Sequence, residues 1–397
     1  MAVKTQNLIR TTLPGWCGLA ALFVSFPIAE SMEQPPYIKA SVIIGIMFAA
    51  MFCVEAILCI RGKFGLLGAP CQRPLKLSRI MIKIMGWTIT VLTVASAYWV
   101  FPEYLGIFYT PYYLALKATG VYLVAFFLFC ILWEDPRSDQ EFDDYYWLAS
   151  AFLNLNFSLL KKANLKQLFL GWVVKLYFLP LMFIYFVGDL NFHANYGSVL
   201  GVYDTAYNFI YLVDVAFVCV GYIFANALTD THIRSTDPTL LGWIAALICY
   251  QPFWSLIGSN YISYGSEWGP WLTNHPQLQL IWAVLIIVCL LLYIWATIAF
   301  GSRLSNLTHR GILTCGPYAY LRHPAYIGKL SSFFLIYIPF VGKDLITTVR
   351  YLILWGLLVG IYYIRAKTEE ANLRSVGPEY DIYANEVAQR WKKILKH

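Results

Sequence analysis

Long runs of apolar residues constrain this chain more than any other feature. A helix needs about 20 mainly apolar residues to cross the hydrocarbon core of a bilayer, and the sequence offers ten such runs. They cover approximately residues 13–30, 40–60, 84–101, 112–133, 168–188, 206–228, 240–258, 278–300, 324–342 and 345–364. Only 13% of the 397 residues are charged, against about 25% in soluble domains. The chain is therefore predicted to be an all-α, polytopic integral membrane protein with about ten transmembrane helices.

The basic residues indicate how these helices are oriented. Lys and Arg concentrate in the cytoplasmic loops of membrane proteins. If the N-terminus is cytoplasmic, most of the 29 basic residues fall on that side, and the opposite loops 102–111, 189–205 and 259–277 contain none. An even number of spans returns the C-terminus to the same side. We therefore expect both termini in the cytoplasm.

Several common site classes are not indicated by the composition. The chain has nine cysteines, most of them in or beside apolar runs, and no Cys-x-x-Cys pattern. We therefore expect neither a disulfide framework nor a structural zinc site. The acidic stretch from Glu134 to Asp144 is interpreted as a solvated face rather than a metal site. The net charge of +7 reflects membrane topology, so nucleic acid is not expected as a partner.

Five charged residues lie inside predicted spans: Glu55, Lys117, Lys175, Asp214 and Arg350. Lys117 and Arg350 lie near span ends, where a long side chain can reach water. A charge within the bilayer is costly unless it is paired or faces a polar pathway. For Glu55 and Asp214 the favoured interpretation is a hydrogen bond or ion pair between helices, and the alternative is a polar cavity for substrate.

The segments flanking the last two spans carry polar residues of opposite charge: one supplies hydrogen-bond donors and positive potential, and the other supplies carboxylates. The run Arg322 to Tyr326 precedes the ninth span, and proline suits the first turn of a helix, so this helix is predicted to begin at Pro324. A helix N-terminus carries positive partial charge and free N–H groups. Arg365 and Glu369 follow the tenth span, four residues apart on one helix face, with Glu370 beside them. Together the two segments suit a zwitterionic or cationic ligand at the cytoplasmic edge of the membrane.

This region also resembles a known family. Its pattern reads Gly316-Pro317-Tyr318-x-Tyr320-x-Arg322-His323-Pro324-x-Tyr326-x-Gly328, then Arg365-x-x-x-Glu369-Glu370-x-x-Leu373, then Gly377-x-Glu379-Tyr380-x-x-Tyr383. In combination these motifs resemble the isoprenylcysteine carboxyl methyltransferase and phospholipid methyltransferase superfamily over about residues 278–397. The resemblance divides the chain into an N-terminal transmembrane region of unassigned role, 1–239, and a C-terminal methyltransferase-like catalytic region, 240–397.

The resemblance implies that S-adenosylmethionine is the cofactor, and it suggests which residues would hold it. The implied cofactor-binding residues are Arg310, Gly311, Ile312, Leu313, Tyr318, His323, Pro324, Ala325, Tyr326, Glu369 and Glu370. Among them, His323 to Tyr326 would hold the methionine part, and Glu369 would contact it from the opposite side. Arg365 would be the catalytic residue that orients an anionic acceptor.

The end of the chain departs from the family pattern, because it lacks the Ile-Pro ending usual after the paired tyrosines. Tyr383, Val387, Trp391, Ile394 and Leu395 instead fall on one helical face. This spacing predicts a basic amphipathic helix lying on the membrane surface.

The acceptor is expected to be a lipid-like or prenylated molecule that enters from the bilayer. A carboxylate is already ionised at pH 7, whereas an amine or hydroxyl needs a general base. Because the candidate bases Glu369, Glu370 and His323 are assigned to the cofactor, a carboxylate acceptor is favoured. Two alternatives remain open. One is an NADPH-dependent membrane reductase similar to the sterol reductases. The other is a non-catalytic transporter or scaffold in which Glu55, Lys175 and Asp214 line a path. The oligomeric state is not predicted.

Overall fold

The described part of the chain folds almost entirely into helices. The computed structural model describes residues 8–9, 11–62, 64–258, 268–337 and 344–395. Its helices are α1 (Leu13–Ser31), α2 (Pro36–Gly62), α3 (Gly65–Gly68), α4 (Leu77–Val100), α5 (Thr110–Glu134), α6 (Asp144–Leu153), α7 (Leu165–Asp189), α8 (Val199–Ile223), α9 (Leu240–Leu247), α10 (Trp268–Trp271), α11 (Pro276–Phe300), α12 (Pro324–Tyr337), α13 (Leu345–Val376) and α14 (Glu379–Ile394). Short 3-10 segments lie at Pro102–Leu105, Ile107–Tyr109, Phe157–Lys162, Gly301–Arg303 and Gly316–Ala319. The strands are the two-residue pieces β1 (Leu8–Ile9), β2 (Ser235–Thr236), β3 (Thr308–His309) and β4 (Ile312–Leu313).

Eight helices within the described ranges are long and apolar enough to cross a membrane. These are Leu13–Ser31, Pro36–Gly62, Leu77–Val100, Ile107–Glu134, Leu165–Asp189, Val199–Ile223, Pro276–Arg303 and Leu345–Val376. Each coincides with a run of apolar residues, because a backbone in lipid must satisfy its own hydrogen bonds and a helix does so within one segment. The prediction of an all-α polytopic membrane protein is confirmed. The orientation of the termini stays a prediction.

Two of the ten predicted spans are not described as helices of spanning length. The run 240–258 contains the eight-residue α9, a turn and a π-helical segment, Trp254–Gly258. Pro252, which has no N–H to donate, lies at this interruption. The run 324–342 begins a helix at Pro324 as predicted, but α12 has 14 residues, and residues 338–343 lie outside the described part. The number ten is therefore not confirmed.

The most buried helix, α8, is joined to α11 by polar contacts within the membrane. Asp214 of α8 accepts a hydrogen bond from the Tyr293 hydroxyl and another, 2.6 Å long, from the Thr297 hydroxyl of α11. Near the ends of α2 and α11, Glu55 forms an ion pair with Arg303. The favoured interpretation of Glu55 and Asp214 as interhelical partners is confirmed. These contacts fix α11 against α8 and α2, and so position the loop that follows α11.

The acidic stretch after α5 is only partly solvated. Asp135 is 1% exposed, and its Oδ2 lies 2.5 Å from Arg79 Nη2 while its Oδ1 lies 3.0 Å from Lys83 Nζ. A buried carboxylate needs such partners, because burial of an unpaired charge is costly. The prediction of a solvated face is therefore wrong for Asp135, which ties α4 to the end of α5.

The C-terminal helix α14 was predicted to lay its apolar face on the membrane. Part of that face packs against protein instead. Tyr383 and Val387 are buried in a small apolar cluster with Ile312 of β4. The Trp391 indole donates to the Tyr320 carbonyl over 2.5 Å. The membrane-surface prediction is wrong for Tyr383 and Val387, which are buried against protein; for Trp391, which is 41% exposed, it stays a prediction. The reason is that the loop before α12 presents an apolar surface and carbonyl groups, and α14 packs on the first and donates hydrogen bonds to the second.

Candidate active site between the ends of two helices

The loop after α11 is held in place by two sheets, each made of two strands of two residues. β3 pairs antiparallel with β2 through Ser235 and His309, and β4 pairs parallel with β1 through Ile312 and Leu8. Between them Gly311 has φ +111°, a conformation that side chains rarely adopt. The two pairings therefore present the backbone of residues 310–313 as a fixed edge.

The Arg310 side chain clamps this loop rather than facing a ligand. It is 3% exposed, and its Nε and Nη1 donate to the carbonyls of Thr231 and Gly221 over 2.8 and 2.9 Å. Burial, followed by the charge of Arg303, lowers the pKa of Arg310 to about 9. The side chain thus ties the loop to the end of α8, and its backbone is left to border the site.

The start of α12 meets the C-terminal third of α13 around Glu370. The Glu370 Oε1 lies 3.1 Å from His323 Nε2 and 3.4 Å from Arg322 Nη1. Its Oε2 lies 3.2 Å from Arg374 Nη2 and 3.8 Å from Lys367 Nζ. Glu370 is 4% exposed, so these contacts compensate a buried charge. This carboxylate joins the two helices.

The neighbouring Glu369 is oriented differently. The Tyr326 hydroxyl donates to it, and the His323 Nδ1 lies 4.0 Å from its Oε2. The His323 and Tyr326 rings stack with centroids 5.5 Å apart and planes 6° apart. A third of the Glu369 side chain stays exposed, so this carboxylate remains accessible to a ligand.

These elements enclose a cavity of about 170 Å³. Of the residues predicted to bind the cofactor, those that line it are Arg310, Gly311, Ile312, Leu313, Tyr318, His323, Ala325, Tyr326 and Glu369. Pro324 and Glu370 do not line it: Pro324 is buried as the first residue of α12, and Glu370 joins the helices. Segments more than 40 residues apart in sequence thus contribute to one cavity.

Arg365 does not line the cavity and lies behind Tyr326. Its guanidinium carbon is 5.2 Å from the centre of the Tyr326 ring and 5.4 Å from that of Tyr362. Its Nη2 donates to Asn306 Oδ1 over 3.0 Å. The side chain is 6% exposed, and its Nε has no hydrogen-bond partner among the described residues. A buried donor of this kind is available to an anion.

Asp237 lines the cavity although sequence reasoning missed it. It is 2% exposed, and its Oδ1 accepts from the backbone N–H and the hydroxyl of Thr239 over 2.8 and 2.6 Å. Its Oδ2 has no partner in the part of the chain that the structure describes. Nothing in the sequence marks this residue, because the chain brings it beside the loop only through the pairing of β2 with β3.

Other cavity residues that were not predicted lie close in sequence to residues that were. Asn372 lines the cavity three residues after Glu369 on α13, and helical spacing could have identified it. Residues outside the predicted cofactor-binding set also line the cavity: Phe300, Arg303, Leu304, Ser305, Leu307, Thr308, Arg322, Leu373, Tyr380 and Tyr383. The Tyr383 hydroxyl donates to the Tyr318 carbonyl over 2.8 Å, so α14 closes one side of the cavity.

Comparison with known proteins provides no relative. No family model matches this chain, and neither the curated proteins nor the solved structures include a match. The interpretation of the cavity therefore depends on its own residues.

Proposed function

We propose that this protein transfers a methyl group from S-adenosylmethionine to a lipid-like or prenylated acceptor that enters from the bilayer. The observation that carries the proposal is the meeting of α12 and α13 around an accessible carboxylate, Glu369, in a cavity that Asp237 also lines. The proposal includes the cytoplasmic side of the membrane for this site, because the distribution of basic residues favours that orientation.

The donor set of the cavity fits this cofactor. The methionine part of S-adenosylmethionine carries an ammonium, a sulfonium and a carboxylate. Glu369, a third of whose side chain is exposed, suits a cation. Arg322 and His323, at the start of α12, suit the carboxylate. Asp237, which lines the same cavity, suits a ribose hydroxyl.

The cavity is small for the proposed ligand and is expected to enlarge when it binds. Its volume of about 170 Å³ is below the roughly 300–1,000 Å³ of typical pockets for small molecules. The hydrogen bond between Tyr326 and Glu369 lies at this cavity. We therefore expect this contact to open when ligand binds.

Catalysis in such a site consists mainly of alignment and exclusion of water. When bound, S-adenosylmethionine supplies an electrophilic methyl group. Glu370 is held by four cationic or imidazole groups, and Glu369 is assigned to the cofactor, so neither is free to act as a general base. This favours an acceptor that is already ionised, such as a carboxylate. Arg365, with its free Nε, would attract that anion toward the Tyr326 side of the cavity.

Binding of the cofactor by variants of the purified protein tests the proposal. Isothermal titration with S-adenosylmethionine is expected to give at least tenfold weaker binding for Glu369→Ala and for Asp237→Asn. Glu386→Ala, which removes an exposed carboxylate from α14, is the matched control and should bind as the wild type does. Equal binding by all three variants would overturn the assignment of the cavity.

The reaction itself requires a second assay. The protein is incubated with methyl-labelled S-adenosylmethionine and total membrane extract, and the labelled product is identified by mass spectrometry. A labelled lipid-soluble product is expected. Oxidation of NADPH without any methyl transfer would favour the reductase alternative instead.

A further inference from the structure

Lys175 is a charged residue inside the membrane that the proposed function does not use. It lies ten residues into α7, about 15 Å along the helix from its first residue at 1.5 Å per residue. Within the described residues its ammonium has no carboxylate in ion-pair range, and it lies 5.1 Å from the centre of the Trp172 ring. An ionisable residue at this depth marks a functional site unless the fold itself neutralises it.

A polar cavity of about 300 Å³ surrounds Lys175. His232 and Arg234, from the segment after α8, also line it. Arg234 Nη2 is paired with Asp230 Oδ2 at 2.7 Å, but Arg234 Nη1 is buried and has no hydrogen-bond partner in the described part of the chain. Lys175 and Arg234 thus place two cationic side chains at one cavity.

The charge around this cavity is positive on balance. Arg310 lies nearby and is bound by carbonyls rather than by a carboxylate. The carboxylate that lines the cavity is that of Asp144, the first residue of α6. It accepts a hydrogen bond of 2.9 Å from the backbone N–H of Asn164. The cavity therefore favours an anion.

A second, apolar cavity of about 360 Å³ is lined by residues that neighbour those of the polar cavity along the chain. Phe224 lines the apolar cavity, and the next residue, Ala225, lines the polar cavity. On α7, Leu179 of the apolar cavity is one turn from Lys175 of the polar cavity. The apolar cavity lies between α2, α5, α7 and α8 and extends into the membrane. A ligand that fills both must have an anionic end and a hydrocarbon end.

We propose that the two cavities bind one anionic phospholipid. Its phosphate contacts Lys175 and Arg234, and a hydrocarbon chain lies in the apolar cavity. The site is distinct from the candidate active site, because the β2–β3 pair separates them: Ser235 lines the lipid cavity, whereas Asp237 lines the other. The proposal does not depend on the methyltransferase assignment.

Lipid add-back to the delipidated full-length protein tests the charge requirement. Native mass spectrometry measures binding of phosphatidylglycerol and of phosphatidylcholine with the same chains. The wild type is expected to prefer phosphatidylglycerol, and Lys175→Met should weaken that binding at least tenfold. Lys166→Met, which removes an exposed lysine from the same helix, should have no effect, and Lys175→Arg should retain binding. Equal loss in the two methionine variants, or no loss in either, would overturn the proposal.

A second variant distinguishes a lipid from a free phosphate. Gly45 lines the apolar cavity, and a Cβ added there meets no atom within 4 Å. Gly45→Leu therefore fills the cavity without a backbone clash and should weaken binding of phosphatidylglycerol. Glycerol phosphate should compete poorly. Full competition by glycerol phosphate, together with unchanged lipid binding by Gly45→Leu, would show a free-anion site and refute the lipid assignment.

Discussion

The ion pair between Glu55 and Arg303 provides the sharpest test of how this fold is held together. Glu55 is 2% exposed and Arg303 7%. Besides the close contact of Nη1 with Oε1, Arg303 Nη2 lies 3.2 Å from Glu55 Oε2. The pair connects α2 to the end of α11, more than 240 residues later in the chain. Arg303→Met removes the cation and leaves the carboxylate buried.

The magnitude follows from the desolvation of the remaining charge. Removing one member of a buried pair costs about 3–5 kcal/mol, whereas replacing both by apolar residues of similar volume is often nearly neutral. The Ser302 hydroxyl, 3.3 Å from Glu55 Oε1, compensates the lone carboxylate only weakly. We therefore expect Arg303→Met to lower the free energy of unfolding by about 3–5 kcal/mol. The double variant Glu55→Met/Arg303→Met should recover most of this loss.

The assay is reversible unfolding of both variants in detergent, and circular dichroism at 222 nm monitors the loss of helix. The difference between single and double variants gives the coupling between the two residues. If the double variant is as unstable as the single one, or more so, the lost stability comes from packing rather than from an unpaired charge. That result would refute the reasoning.

Three further predictions concern the candidate active site and its supports. Gly328→Leu should destabilise the protein strongly, because a Cβ on Gly328 would lie 2.6 Å from the Cys289 carbonyl of α11; the melting temperature measures this. Tyr383→Phe removes the hydrogen bond to the Tyr318 carbonyl and should cost about 1 kcal/mol of stability, with weaker binding of S-adenosylmethionine in titration. Burial, followed by nearby cationic charge, lowers the pKa of His309 to about 4 from its usual 6.5. The unfolded chain therefore binds the proton more readily, so stability is lost as the pH falls from about 6.5 toward 4. His309→Leu should reduce that slope in denaturant titrations across this pH range.

Much of the candidate site could be predicted because its residues are local in sequence. Pro324 begins α12 as expected from its preference for the first helical turn. The spacing of Arg365 and Glu369 requires only that α13 continue beyond its apolar part, and it does so to Val376. The loop from Arg310 to Leu313 also lies in the same cavity as these helix ends.

Residue spacing could not distinguish the two adjacent glutamates. Glu369 and Glu370 are separated by about 100° around a helix, and only the docking of α12 decides which one faces the cavity and which one pairs with Arg322. The same docking places Arg365 behind Tyr326 instead of in the cavity. Side-chain direction across an interface depends on helix rotation, which no local pattern records.

The sequence by itself determined that the chain spans a membrane and where most of its helices lie, because transfer of apolar residues into lipid depends on composition and length. Only the tertiary structure decided which polar groups meet: Glu55 with Arg303, Asp214 with α11, and Asp237 with the candidate active site. These partners lie far apart in sequence. Their pairing depends on how the helices pack, and the high cost of a buried unpaired charge then makes each of these contacts a requirement of the fold.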